Sequence, residues 1–325
     1  MLQFFLRRTL GAAVILILIS AFTFFLFFSI PQDPALLACG KNCTPDSLKI
    51  IHENLGLDKP VPVQYLEFMR GIVMGRDFAV GPCPAPCFGY SFANNQPIFD
   101  TILDRFPTTV SLTVGGAAVF LTLGLGAGML AAWKRGSLID KSFSSASLVL
   151  SSMQIYFLGP VVLGALVYST NLMDSPKYTA FTENPAAWFV GLLIPWMVMA
   201  TIFTANYTRM SRSTLIEQLQ EEHVRTAKAK GMSGKTVFFR YAWRGSLIPI
   251  VTIFGMDLGS LFGGAMITEQ TFSLAGIGRL AVDSVIKTDL PMIMGVMLFT
   301  ATMILFFNVI VDAAYAFIDP RVRLS

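Results

Sequence analysis

Charge is scarce in this chain: only 14% of its 325 residues are Asp, Glu, Lys or Arg, where a soluble domain carries about 25%. Histidine is nearly absent, with two residues, and cysteine is confined to four positions between 39 and 87. No paired acids face a polar cleft and no nucleophile stands beside a base, so an enzyme reading has no support. Nothing points to nucleic acid either. What fills the space is apolar: 54% of the residues are hydrophobic, with 28 Phe and 16 Met, and the mean hydropathy is +0.62. That is a membrane-protein composition.

A helix crossing a bilayer needs about 20 mostly apolar residues, because each adds ~1.5 Å across a ~30 Å core. Six runs qualify, at about 9–30, 107–133, 143–170, 187–208, 246–270 and 291–318. The first follows Arg7 and Arg8 as a signal peptide would, but it is too long and has no small-residue cleavage site after it, so a retained helix is expected. With the N-terminus inside, the inner segments 1–8, 134–142, 209–245 and 319–325 hold 15 of the 24 Lys and Arg. The positive-inside bias therefore predicts an all-α membrane protein of six transmembrane helices with both termini cytosolic. Pro160 and Pro195 are expected to kink the third and fourth spans.

The long segment 31–106 falls outside the membrane in this scheme. Its residues 46–57 and 62–75 have the pattern of short amphipathic helices, the second suited to the interface. Cys39, Cys43, Cys83 and Cys87 form an even set in an oxidising exterior, which favours disulfides over a metal site; three pairings stay open.

The stretch AKGMSGKT, Ala229 to Thr236, ends like a phosphate-binding loop but has Ala in place of the first glycine. Such a loop needs a buried strand before it, whereas EEHVRTAK is charged and helical in pattern. The segment reads as a helix that could start at Ser211–Thr214 and carry Glu217, Glu221, Arg225 and Lys228 at ion-pairing spacing, then a break at Gly231, then a short helix capped by Ser233. In the fifth span, Gly255, Gly259 and Gly263 form a small-residue packing ridge, as Gly124 and Gly128 do in the second. Asp257 lies on another face with Ser260, Gly264 and Thr268 following at helical spacing. An acid inside a span faces protein or a wet cavity. Asp257, Ser260 and Thr268 are thus candidate pathway residues, and Glu269, at the outer end, is a candidate receptor contact.

HVRTAKAKGMS followed by RGSLIP resembles the EAA loop of ABC importer permeases, in the version carried by B-type subunits of bacterial dipeptide and oligopeptide importers. The resemblance covers nearly the whole chain: MLQFFLRRTLGA with IPQDPA, LGLDKPVPVQYLEFMRGIVMG, LGSLFGGAMITEQTFSLAGIGRLAVDSV and DAAYAFIDPRVR all fit. It implies a type I importer (MetI-like) permease fold in a bacterial inner membrane. The expected parts are a first span at 1–30, an extracytoplasmic segment at 31–106, a core at 107–318 containing a coupling loop at 209–245, and a cytosolic tail at 319–325. The loop would meet a separate ATPase through Arg225, Thr226, Ala227, Gly231 and Ser233. Arg225 stands where many permeases have Glu, and the family's Pro thirteen residues after the glycine is Arg244 here, with Pro249 following. The implied partners are a second, C-type permease, two ATP-binding subunits holding ATP and Mg, and an extracytoplasmic solute-binding protein. No cofactor is expected on this chain. Peptides are the implied cargo, and relatives of this type also carry nickel chelates, glutathione and sugars. A self-contained secondary transporter is the competing class; it would show paired intramembrane charges and an internal repeat.

Overall fold

The run TLGAAVILILISAFTFFLFF contains no proline and no charge, and in lipid a backbone must satisfy its own polar groups. It folds as part of one helix, α1 (Leu2–Phe28), in the computed structural model of the chain. The structure describes residues 2–28, 35–36, 44–46, 48–49, 52, 57–78, 81–91 and 93–318. Cys39, Cys43, the tail 319–325 and most of the helix expected at 46–57 lie outside the described residues. After α1 come α2 (Val61–Met74), a two-stranded hairpin of β1 (Arg76–Phe78) and β2 (Gly81–Cys83), α3 (Ile98–Trp133), α4 (Leu138–Ser152), α5 (Ile155–Ser169) and α6 (Pro185–Gln218). The rest is α7 (Glu222–Ala229), α8 (Gly234–Phe262), α9 (Met266–Thr271), α10 (Ile277–Ile286) and α11 (Leu290–Ile318).

Among the described residues, five helices are long and apolar enough to cross a membrane by themselves, within α1, α3, α6, α8 and α11. The third run differs from its expected form. It consists of α4 and α5, bent by 94° at Met153–Gln154, and only the two together reach the length of a span. The bend sits in the polar stretch SSMQ and not at Pro160, which lies inside α5. Ser151 and Ser152 both donate to the Leu148 carbonyl at 3.0 Å, and such back-bonding weakens a helix end. Pro195 causes no interruption of α6. The fifth run also divides: α8 ends at Phe262 and α9 begins at Met266, with Gly264 between them at φ +133°.

The described residues form two compact units. In the first (1–109, 262–266 and 275–306), Ile98, Ile102, Ile277, Leu280, Met292, Val296 and Phe299 make a buried core. Gly264 lies so near the Gly278 backbone that an added Cβ would come within 2.7 Å of it. Thr300 donates to the Gly263 carbonyl at 2.9 Å, and the Thr109 hydroxyl accepts from the Ile277 amide at 2.9 Å. The amphipathic α2 packs Tyr65 and Phe68 against Phe24 of α1, and the Tyr65 and Ser20 hydroxyls meet at 2.8 Å. On its exposed side a hydrogen bond from Lys59 holds the Glu67 carboxyl below the usual range. Just beyond, Cys83 and Cys87 are joined in a disulfide.

The second unit (110–261, 267–274 and 307–325) is organised by the approach of α3 to α6. Cβ atoms at Gly115, Gly116, Gly124 or Gly128 would collide with Trp196, Met199, Tyr207 or Ser211 respectively. The sequence singled out Gly124 and Gly128; Gly115 and Gly116 extend the same line. Around it Phe120 stacks on Phe203 at 4.9 Å and packs beside Tyr207 and Phe254. The Trp196 indole donates to the Ser111 carbonyl at 3.1 Å. In α8, Gly255 makes similar room for Val311 of α11. Gly126, on the other side of α3, faces open space. Gly124→Val or Gly128→Val should therefore lower stability by about 1–3 kcal/mol through overpacking, while Gly126→Val stays within about 0.5 kcal/mol of the parent. Thermal unfolding in detergent, compared across the three variants, measures the difference.

Candidate functional site

The helix α6 does not end where its apolar run ends. It continues through the polar stretch from Arg209 to Gln218, so Ser211–Thr214 is helix interior and not a helix start. Ser211 is fully buried against Gly128. A turn at 219–221 follows, and Glu221 is the N-terminal flank of α7. The expected row of ion pairs from Glu217 to Lys228 is thereby split between two elements; Arg225 pairs with Glu222 at 3.1 Å instead. Glu222 in the first turn and Lys228 in the last turn of α7 complement the helix dipole.

At the end of α7 the chain reverses at Gly231, whose φ of +76° lies in the left-handed region where glycine avoids a steric penalty. No atom crowds this residue, so the requirement is conformational. The Ser233 hydroxyl then accepts from the Thr236 amide at 3.3 Å and starts α8. Gly-Lys-Thr is the first turn of that helix, and a helix and a turn, not a strand, lead into it. The six residues Val237–Ala242 are wound as a π-helix.

This segment has its own core. Val224, Ala227 and Val237 are buried together, flanked by Leu219 and Tyr241. A neighbouring cluster of Ala132, Leu215, Phe238 and Ala242 ties it to the end of α3, where Trp133 meets Phe238 edge-on at 4.8 Å. Of the residues expected to touch a partner, Arg225, Thr226, Gly231 and Ser233 are exposed and Ala227 is buried. Lys228, Lys230, Met232 and Lys235 complete an exposed, mainly basic surface.

Next to it, in the same unit, a cleft of about 760 Å³ opens between α4, α6 and α8. Ser144 and Leu148 line it from α4, and Ile253 and Asp257 from α8. Asn206, Tyr207, Arg209 and Arg212 are among the residues that line it from α6. The Tyr207 hydroxyl donates to Asp257 Oδ2 at 2.8 Å. Arg212 makes two hydrogen bonds to Asp140, from Nε at 2.5 Å and Nη2 at 2.9 Å. Asp140 is itself 4% exposed and also accepts from the Gly136 amide at 2.9 Å and from Ser144 at 3.4 Å. One carboxylate thus fixes the turn between α3 and α4 and anchors α6.

Three expected site residues part company here. Asp257 lines the cleft; Ser260 is exposed but is not among the cleft-lining residues. Thr268 is buried on α9, beyond the break, so the ridge drawn from Asp257 to Thr268 as one helix face does not exist. Glu269 is wholly buried, which removes the receptor contact expected of it. The sequence reading missed Asp140, Tyr207, Arg209 and Arg212. The opposite charges of Asp140 and Arg212 in adjacent inner segments were a signal, but no fixed spacing joins them.

Residues 124–324 match the family described as binding-protein-dependent transport system inner membrane component, and residues 1–113 match its N-terminal companion. A probable peptide ABC transporter permease protein of Sinorhizobium fredii is 30% identical over 98% of this chain and 99% of its own length. The dipeptide transport system permease protein of Escherichia coli is 33% identical over 99% of both chains.

The Asp140–Arg212 pair gives a direct test of the anchor. Arg212→Gln, which leaves the buried Asp140 carboxylate unpaired, should destabilise the protein by about 3 kcal/mol, and Asp140→Asn, which leaves a partly exposed guanidinium, by less. The double variant should cost less than the sum of the two. Denaturation of all four proteins in one detergent measures the coupling.

Proposed function

The chain belongs to the family of binding-protein-dependent transport system inner membrane components, and from that membership we propose that it is a permease subunit of an ABC importer for peptides. It is a multi-pass protein of the cytoplasmic membrane. The observation that carries the reading is the end-to-end similarity to relatives named for peptide and dipeptide transport. In this reading α4 and α5 together make one broken span, giving six, with both termini cytosolic and residues 31–106 outside. Residues 107–318 form the translocation core and 319–325 a short cytosolic tail. A second permease completes the pathway, two ATPase subunits bind ATP and Mg, and a solute-binding protein delivers the cargo. This chain has no catalytic step of its own.

The segment 209–245 is the transmitter. Its buried Val224, Ala227 and Val237 make α7 a stiff patch, and its exposed Arg225, Thr226, Lys228, Lys230 and Lys235 suit an acidic groove on an ATPase. The patch is continuous with α6 and α8, which carry Tyr207 and Asp257. A displacement of the patch therefore moves two walls of the cleft. In proteoliposomes holding the chain with its ATPases, receptor loaded with peptide should stimulate both ATP hydrolysis and uptake. ATP-independent peptide transport by the chain alone would overturn the reading in favour of a secondary transporter.

Two substitutions probe the transmitter. Gly231→Pro cannot adopt φ +76° and removes the amide that bonds to the Lys228 carbonyl at 3.0 Å. Ala227→Leu overfills the small core. Both should lower the ratio of peptide uptake to ATP hydrolysis several-fold, whereas Gly234→Ala, in open space, should leave it unchanged. Uptake and phosphate release measured on the same vesicles give the ratio.

A further inference from the structure

Asp257 and Arg209 both line the cleft, and among the described residues neither is within ion-pair distance of an opposite charge. The Asp257 carboxylate accepts a hydrogen bond from a neutral phenol through Oδ2. The Arg209 guanidinium donates to the neutral amide oxygen of Asn206 at 2.9 Å. Arg212 differs, because Asp140 neutralises it. The cleft therefore presents one carboxyl group and one guanidinium, neither with an ionic partner among the described residues. An acid inside a span without an ionic partner is costly and marks a functional position, and Arg209 stands at the exposed edge of the same cleft.

We propose that this cleft is a transit site for zwitterionic peptides, with Asp257 receiving the α-ammonium group and Arg209 the α-carboxylate. The inference rests on the peptide-importer reading above and assigns the cargo chemistry to two residues. A ligand carrying both charges supplies each side chain with a counter-ion, which offsets part of the cost of desolvating the ligand's two charged ends. Tyr207 is a positioning residue: buried against Gly124 and Phe120, it holds one carboxylate oxygen and leaves Oδ1 for the ligand. The volume of about 760 Å³ is in the range of small-molecule sites. Ser144, Asn206 and Ser213 offer polar contacts along the walls without added charge.

The test uses the complete importer in proteoliposomes with three probes: Ala-Ala, N-acetyl-Ala-Ala and Ala-Ala amide. Receptor loading is measured separately, so that each rate is expressed per loaded receptor. Asp257→Asn keeps the shape and the acceptor for Tyr207. It should slow Ala-Ala uptake about tenfold and abolish the preference for Ala-Ala over its N-acetyl form. Arg209→Gln should instead abolish the preference for Ala-Ala over the amide. A purely structural role would slow all three probes equally, and that result overturns the proposal. Unchanged uptake in both variants also overturns it while leaving the importer reading intact. Loss of the second permease from the purified variants assigns the charges to subunit docking and overturns it too. If the parent complex moves none of the peptides, the importer reading itself fails and the inference with it.

Discussion

The second unit depends on how closely α3 and α6 approach. In a bilayer there is no hydrophobic gain from bringing two apolar helices together, so contact relies on small residues that admit close packing. Gly115, Gly116, Gly124 and Gly128 supply it along one line of α3. That line meets Trp196, Met199, Tyr207 and Ser211, which fixes the rotation of α6 about its own axis. With those residues committed to α3, Asn206, Arg209, Met210 and Ser213 are left to line the cleft. The position of Arg209 is thus a consequence of four missing side chains on another helix.

The end of this unit near α7 is held by different forces. There the Asp140–Arg212 pair and two small apolar clusters replace glycine packing. A carboxylate that accepts four hydrogen bonds from three residues tolerates little reorientation, so the turn after α3 and the end of α6 are linked. The exposed basic side chains of α7 are not part of either cluster. Their exchange would alter partner attraction with little effect on the shape of the segment.

Much of this architecture was legible in the sequence, and the reasons are physical. Apolar runs of spanning length follow directly from bilayer thickness, and the glycine at 231 and the serine at 233 punctuate the chain by backbone conformation alone. The breaks at Met153–Gln154 and at Gly263–Gly264 were less legible, because hydropathy averages over a window and does not register a bend between two apolar helices. Glu269 and Thr268 were misplaced for the same reason: continuing α8 past Phe262 carries them to a surface, whereas the break turns them inward. The Tyr207–Asp257 and Asp140–Arg212 pairs span 50 and 72 positions, and periodicity has no reach over such separations. The functional class came from ordered motifs across the whole chain and not from any one site.

The length of α6 has a mechanical consequence. Its 34 residues make a rod of about 51 Å, longer than the hydrocarbon layer it crosses, and the α7 segment is fastened to one end. Tilting such a rod by about six degrees about one end moves the other sideways by about a tenth of the rod's length. A small tilt imposed at the α7 end is thus carried to the other end of α6 as a sideways displacement of about 5 Å.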